Sequence, residues 1–231
     1  MIYLISNMAG SGSFAMVLAL ILAYIFAIVI SFGLHEFAHA FCAYKLGDPT
    51  PKAMGRLTIN PLKHLDPFGL FAFLFIGFGW AKPVEVNPLN FKKYKRDMFL
   101  VSIAGVLTNL ILAFVFSGIF FFFFNNVATY TPAGELYYSN TLLYFVHYFL
   151  ELSVSLNIAL LVFNLIPVYP LDGFNAIRAL TRPNNGFVNF MFKYGSLIML
   201  LIIITPIFDI VYGVVTNNIL KVFFNFWGIF S

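Results

Sequence analysis

Charge and cysteine are what this chain has least of. Charged side chains make up 10% of its 231 residues, against about 25% in an average soluble domain, which is too few to cover a water-facing surface. A soluble globule is excluded: with 61% hydrophobic residues and a mean hydropathy of +0.91, most apolar side chains must meet lipid or one another inside a bilayer. The single cysteine, Cys42, excludes an internal disulfide framework and a cysteine-ligated zinc site, so any metal must be held by His, Asp, Glu or Asn. Lys and Arg are missing from residues 1–34 and 97–177, while nine of the 13 fall between residues 45 and 96. The net charge of +4 is therefore loop asymmetry of the positive-inside kind, and no nucleic-acid partner is expected. No basic segment precedes the first apolar run, so that run is expected to stay as a membrane span and not to be cleaved as a signal peptide.

What is present reads as an all-α polytopic membrane protein of about four to five transmembrane helices. Uncharged or nearly uncharged runs at about 13–44, 98–124, 141–166 and 187–208 are each long enough to cross a core of about 30 Å, and a fifth segment at 210–230 is broken by Thr216, Asn217, Asn218 and Lys221. The basic 45–96 loop and the Arg178–Lys193 segment are expected to be cytoplasmic, and 125–140, with Glu135 and no cation, outside. Four spans with the N-terminus outside satisfy all three loops. Within the first cytoplasmic loop, Phe68–Trp80 is apolar but too short to span, and the alternation of Phe71, Phe73 and Phe75 predicts a short re-entrant or β-hairpin segment.

The first span ends in His35-Glu36-Phe37-Ala38-His39. Four residues is about one helical turn, so both imidazoles leave the same face and can bind one tetrahedral Zn²⁺, with Glu36 beside them to take a proton from water. Two satisfied core histidines would be the plain alternative in a soluble protein. Inside an apolar segment each ionisable group costs at least about 2.5 kcal/mol, which points to function.

A hydrolytic zinc site takes three protein ligands and keeps one position open, so a third ligand is needed. Asp172, after the third span, and Glu151, within it, compete. The first and third spans run in the same direction, which brings Asp172 to the depth of His35 and His39. Glu151 lies about fourteen residues before Asn164, toward the outer leaflet. Topology favours Asp172, whose flanking Pro167, Pro170 and Gly173 read equally as a plain helix stop.

These residues resemble those of the site-2 protease (M50) family of intramembrane zinc metalloproteases. The resemblance rests on His35-Glu36-x-x-His39, Gly105-x-x-x-Asn109 in the second span, and Asn164 to Gly173 ending in Leu-Asp-Gly. It extends to Asn60-Pro61-Leu-Lys-His64-Leu-Asp66-Pro67-Phe-Gly69 and to Gly79-Trp-Ala-Lys82-Pro83-Val-Glu-Val-Asn87-Pro88. Residues 1–231 are expected to form a single domain of the minimal stand-alone type, without a PDZ or CBS domain. The family implies His35, His39 and Asp172 as ligands of one Zn²⁺ per chain, Glu36 as general base, and Asn109 as a neutral donor facing the cleft, where it could stabilise an oxyanion. Asn109 reads also as interhelical packing beside Gly105, and Asn164 as either a group orienting a ligand or a helix cap. His64 and Asp66 sit among Asn-Pro and Asp-Pro steps and read as a structural loop; His147 reads as a packed polar group and Cys42 as a small buried one.

The leading expectation is a multi-pass enzyme of the cell membrane that hydrolyses peptide bonds in or near transmembrane segments of protein substrates, close to the cytoplasmic face. Its partners are such a substrate and the lipid bilayer. Two readings compete: a gluzincin-type membrane metalloprotease with Glu151 as third ligand, and an inactive metal-stabilised scaffold that binds transmembrane helices without cutting them.

Overall fold

The computed structural model describes residues 14–76, 79–127, 129–130, 136–138, 140–182 and 184–230. Residues 1–12, Gly77, Phe78 and Glu135, which entered the sequence reading, lie outside the described residues. The protein is all-α, with helices α1 (Phe14–Lys45), α2 (Thr50–Ala53), α3 (Pro67–Ile76), α4 (Tyr94–Val127), α5 (Thr141–Leu165), α6 (Asp172–Leu180), α7 (Gly186–Ile204) and α8 (Ile207–Trp227). Five of these, α1, α4, α5, α7 and α8, are long and apolar enough to cross a membrane. A pair of two-residue strands, Thr129–Tyr130 and Leu136–Tyr137, runs antiparallel between α4 and α5.

The packing is inverted relative to a water-soluble bundle. On α1, Ala19, Ala23, Ala27, Ser31, His35 and His39 follow one another at about one turn and are buried, whereas Leu18, Leu22 and Phe26 point outward and are exposed. Small residues on the inner stripe let backbones approach closely, which is what drives helix association where lipid is as apolar as leucine. Ala27 and Ile28 of α1 meet Leu156 and Leu160 of α5, with Phe73 and Leu74 of α3 closing over them. Ala113 of α4, Val154, Ile158 and Val162 of α5 and Phe223 of α8 form the second cluster.

Contacts fix the direction of each helix. Leu20 packs at the level of Tyr144 and Ser31 bonds Asn157, so α1 and α5 run parallel. His39 meets Val101 while His35 meets Asn109, so α4 runs against α1. Phe208 lies on Phe163, Tyr212 on Ser155, and Trp227 on Ser117, so α8 runs against α5 and with α4.

Two expectations are corrected here. Among the described residues Phe68–Trp80 forms no β-hairpin: Pro67–Ile76 is helical, and an isolated antiparallel bridge joins Leu65 to Ala81. The reason is local, because Asp66 accepts the Gly69 N–H at 2.9 Å and Pro67 opens the first turn, a strong helix start. Phe71 and Phe75, four apart, then share one exposed face with ring centroids 4.4 Å apart, while Phe73 turns the other way against Tyr24 and Phe32. The run 187–208 is also not one continuous helix. Thr205, which precedes Pro206, is extended at φ −89° and ψ 157°, as a residue before proline is driven to be, and the helix stops at Ile204. From Phe192 to Ile203, α7 stays at the Asp172 end, with Phe192 against Tyr169 and Phe174 and Ile203 on the wall of the cavity that holds Asp172. The return across the bundle belongs to α8.

Candidate metal centre

The helix α1 continues unbroken through His35 and His39, placing their ring centroids 4.7 Å apart and their Nε2 atoms 3.1 Å apart. Gly105 makes this possible: a Cβ there would overlap both imidazoles, so α4 can press its backbone against the rings only without a side chain. His39 Nδ1–H donates to the Val101 carbonyl at 2.8 Å, and His35 Nδ1–H donates to Asn109 Oδ1 at 2.6 Å.

The third group arrives from the break after α5. Ile166 turns extended, and the chain folds back through hydrogen bonds from Val168 N–H to Ile166 O and from Leu171 N–H to Val168 O. Gly173 lies against the Leu165 carbonyl, a place that no Cβ could share. Phe174, fully buried, anchors the turn between Tyr169 and Phe192. Asp172 is thereby set at the start of α6, with Oδ2 at 3.3 Å from His35 Nε2 and 3.2 Å from His39 Nε2.

The donor set fits a metal. With both Nδ1 atoms committed as donors, the neutral imidazoles present their Nε2 lone pairs to each other and to an anionic oxygen. Such a convergence is repulsive without a cation at its centre. Asp172 Oδ2 is buried with no hydrogen bond among the described residues. The spacings of 3.1, 3.2 and 3.3 Å are close to the roughly 3.3–3.5 Å edge of a tetrahedron with metal bonds of about 2.0–2.2 Å.

Glu36 is half-buried beside the cluster, and its Oε2 accepts the Val84 N–H at 3.0 Å. His35, Glu36, His39 and Asp172 open on a cavity of about 960 Å³ whose walls include Ala81, Pro83, Val84 and Val86 of the non-helical segment Ala81–Val86. That segment is held in turn by Asp48, fully buried, which accepts from the Asn87 N–H, the Asn90 amide and Thr50.

Other residues singled out from sequence fall elsewhere. Asn109 does not face the cleft: it is fully buried behind His35, and its Nδ2 donates to Asn157 Oδ1 at 2.8 Å. Asn164 lines the cavity and donates to the Leu160 carbonyl at 3.1 Å, touching none of the three donor groups. Glu151 is outside the cluster, 3.5 Å from His147 and more than half exposed. His64 is buried and donates to Thr58 O, and Asp66 caps α3, so both serve the loop. Sequence reading missed Val84, Val101 and Asn157. The first two act through backbone groups, which leave no side-chain signal; Asn157 could have been flagged as an uncharged polar residue on the inner face of an apolar span. Asp209 was missed as well and places a third carboxylate on the cavity wall, beside Glu36 and Asp172.

Comparison with known proteins agrees with this geometry. The model of Peptidase family M50 matches residues 23–203. Over 204 residues the chain is 40% identical to "Putative zinc metalloprotease YwhC" of Bacillus subtilis, covering 86% of this chain and 90% of that protein. It is 30% identical over 217 residues to "Putative zinc metalloprotease Rip2" of Mycolicibacterium smegmatis, covering 88% of this chain and 73% of that protein. The Rip2 of Mycobacterium tuberculosis strain H37Rv is 30% identical over 206 residues, covering 86% of this chain and 70% of that protein. No solved structure matches. With its two histidines, its carboxylate and the neighbouring glutamate gathered at one cavity, and with most of its length matched, the chain belongs to peptidase family M50.

Proposed function

We propose that this protein is a zinc-dependent endopeptidase that cuts membrane proteins within or next to their transmembrane segments, close to the cytoplasmic face. The observation that carries the reading is the convergence of His35 Nε2, His39 Nε2 and Asp172 Oδ2 within 4.8 Å, with Glu36 beside them, in a cavity enclosed by apolar helices. Zinc bound there supplies Lewis acidity toward water and a peptide carbonyl. His35, His39 and Asp172 hold it, each imidazole oriented through its other ring nitrogen. Glu36 takes the proton from the attacking water and passes it to the leaving amide nitrogen, while the Val84 N–H fixes one of its oxygens. Asn109 orients His35 and does not touch substrate.

A transmembrane helix has no free backbone groups to grip and must unwind before cleavage. The Ala81–Val86 segment, non-helical along the cavity wall, suits an unwound stretch of chain. With α1, α4, α5 and α8 as the crossings, a cytoplasmic position for the basic 45–96 loop, as the positive-inside rule favours, supports a cleft at the cytoplasmic end. Glu151, set apart beside His147, offers no third ligand to the gluzincin reading.

The test is cleavage of a labelled transmembrane substrate by purified protein in liposomes, comparing wild type with Glu36→Gln. The expected result is cleavage by wild type and none by Glu36→Gln with zinc still bound. Equal cleavage by Glu36→Gln would overturn the mechanism.

A further inference from the structure

A line of hydrogen bonds crosses three helices behind His35. The Ser153 backbone carbonyl accepts from Asn157 Nδ2 at 2.8 Å, and the same Nδ2 donates to Ser31 Oγ at 2.8 Å. Asn157 Oδ1 accepts from Asn109 Nδ2 at 2.8 Å, and Asn109 Oδ1 accepts from His35 Nδ1–H at 2.6 Å. Ser31, Asn109 and Asn157 are all fully buried.

The line has a direction, and its root sets it. A backbone carbonyl can only accept, so the group that Asn157 turns toward Ser153 must be its NH₂. Its Oδ1 is thereby aimed at Asn109, which must answer with NH₂ and present its own oxygen to His35. Neutral His35 must then carry its one proton on Nδ1 and leave Nε2 bare toward Asp172. His39 reaches the same state in one step, from the Val101 carbonyl. Were Asn109 turned over, its NH₂ would demand a lone pair from His35 Nδ1, and a proton would sit on Nε2 where the metal belongs.

We propose that Asn157 is a positioning residue for the metal centre: acting through Asn109, it holds His35 as the Nδ1–H tautomer able to bind zinc. This rests on the zinc reading above. Asn157 touches neither the donor cluster nor the cavity, and it ties α5 to α1 and α4 at the level of the site.

The experiment measures zinc affinity by competition with a chromophoric chelator on detergent-purified full-length protein. Asn157→Leu is expected to raise the zinc Kd about 10- to 100-fold, and Asn109→Leu by a similar factor. The double variant should be no weaker than the weaker single one, because both break one chain. Asn157→Asp keeps an acceptor toward Asn109 and should restore affinity to within a few-fold of wild type. As a readout that needs no variant to fold, ¹⁵N spectra of the wild-type histidine rings should show His35 protonated at Nδ1. Unchanged affinity in Asn157→Leu, additive losses in the double variant, or a His35 proton on Nε2 would overturn the inference while zinc binding by wild type stands. A wild type that binds no zinc would overturn the zinc reading and this inference with it.

Discussion

The backbone N–H of Val84 donates to Glu36 Oε2 across 3.0 Å, though 48 positions separate the two residues. The Glu36 carboxylate is thus oriented by the loop that forms the cavity wall. Val84→Pro removes the donor and is expected to lower kcat about 10- to 100-fold, the size of a lost hydrogen bond to a charged group. Zinc content should not change. Val84→Ala, which keeps the N–H, should stay near wild type, and steady-state cleavage with metal analysis checks both.

Gly105 is the floor under both imidazoles. Its Cβ in an alanine variant would overlap His35 and His39, so either the rings or α4 must move. Gly105→Ala is expected to cut zinc affinity at least 10-fold, and Gly105→Val to abolish binding. Calorimetric titration of zinc into the metal-free protein reads this directly.

Asp48 gives the loop a pH dependence. Burial alone would raise its carboxyl, but hydrogen bonds from Thr50, Asn90 and Asn87 outweigh it and hold the group below the ordinary Asp value. A depressed folded value stabilises the protein above the unfolded value, about 3.9, and this stability is lost as pH falls through the folded one. Thermal unfolding in detergent should therefore show a Tm that declines below about pH 4. In Asp48→Asn the decline should be shallower and the neutral-pH Tm lower.

Much of the site is legible in sequence because its chemistry is carried by side chains at helical spacing. His35, Glu36 and His39 are one turn of a helix, and the Pro167, Pro170 and Gly173 punctuation marks the break that presents Asp172. Span positions follow from hydropathy alone, within about four residues at the ends of α1, α4 and α5. Phe68–Trp80 was misread because alternation carries little information in a stretch that is apolar at nearly every position; the Asp66 cap decided the outcome. The course of α7 and α8 was hidden because a Pro206 that kinks a span and one that ends it look alike in sequence. The side of His35 on which Asn109 lies depends on how α4 is rotated, which tertiary packing sets.

The measurement that bears most directly on the central claim is the zinc content of detergent-purified wild type and Asp172→Asn by elemental mass spectrometry. A site built from His35, His39 and Asp172 predicts one zinc per chain in wild type and marked loss in the variant. Undiminished zinc in Asp172→Asn, or none in wild type, would contradict it.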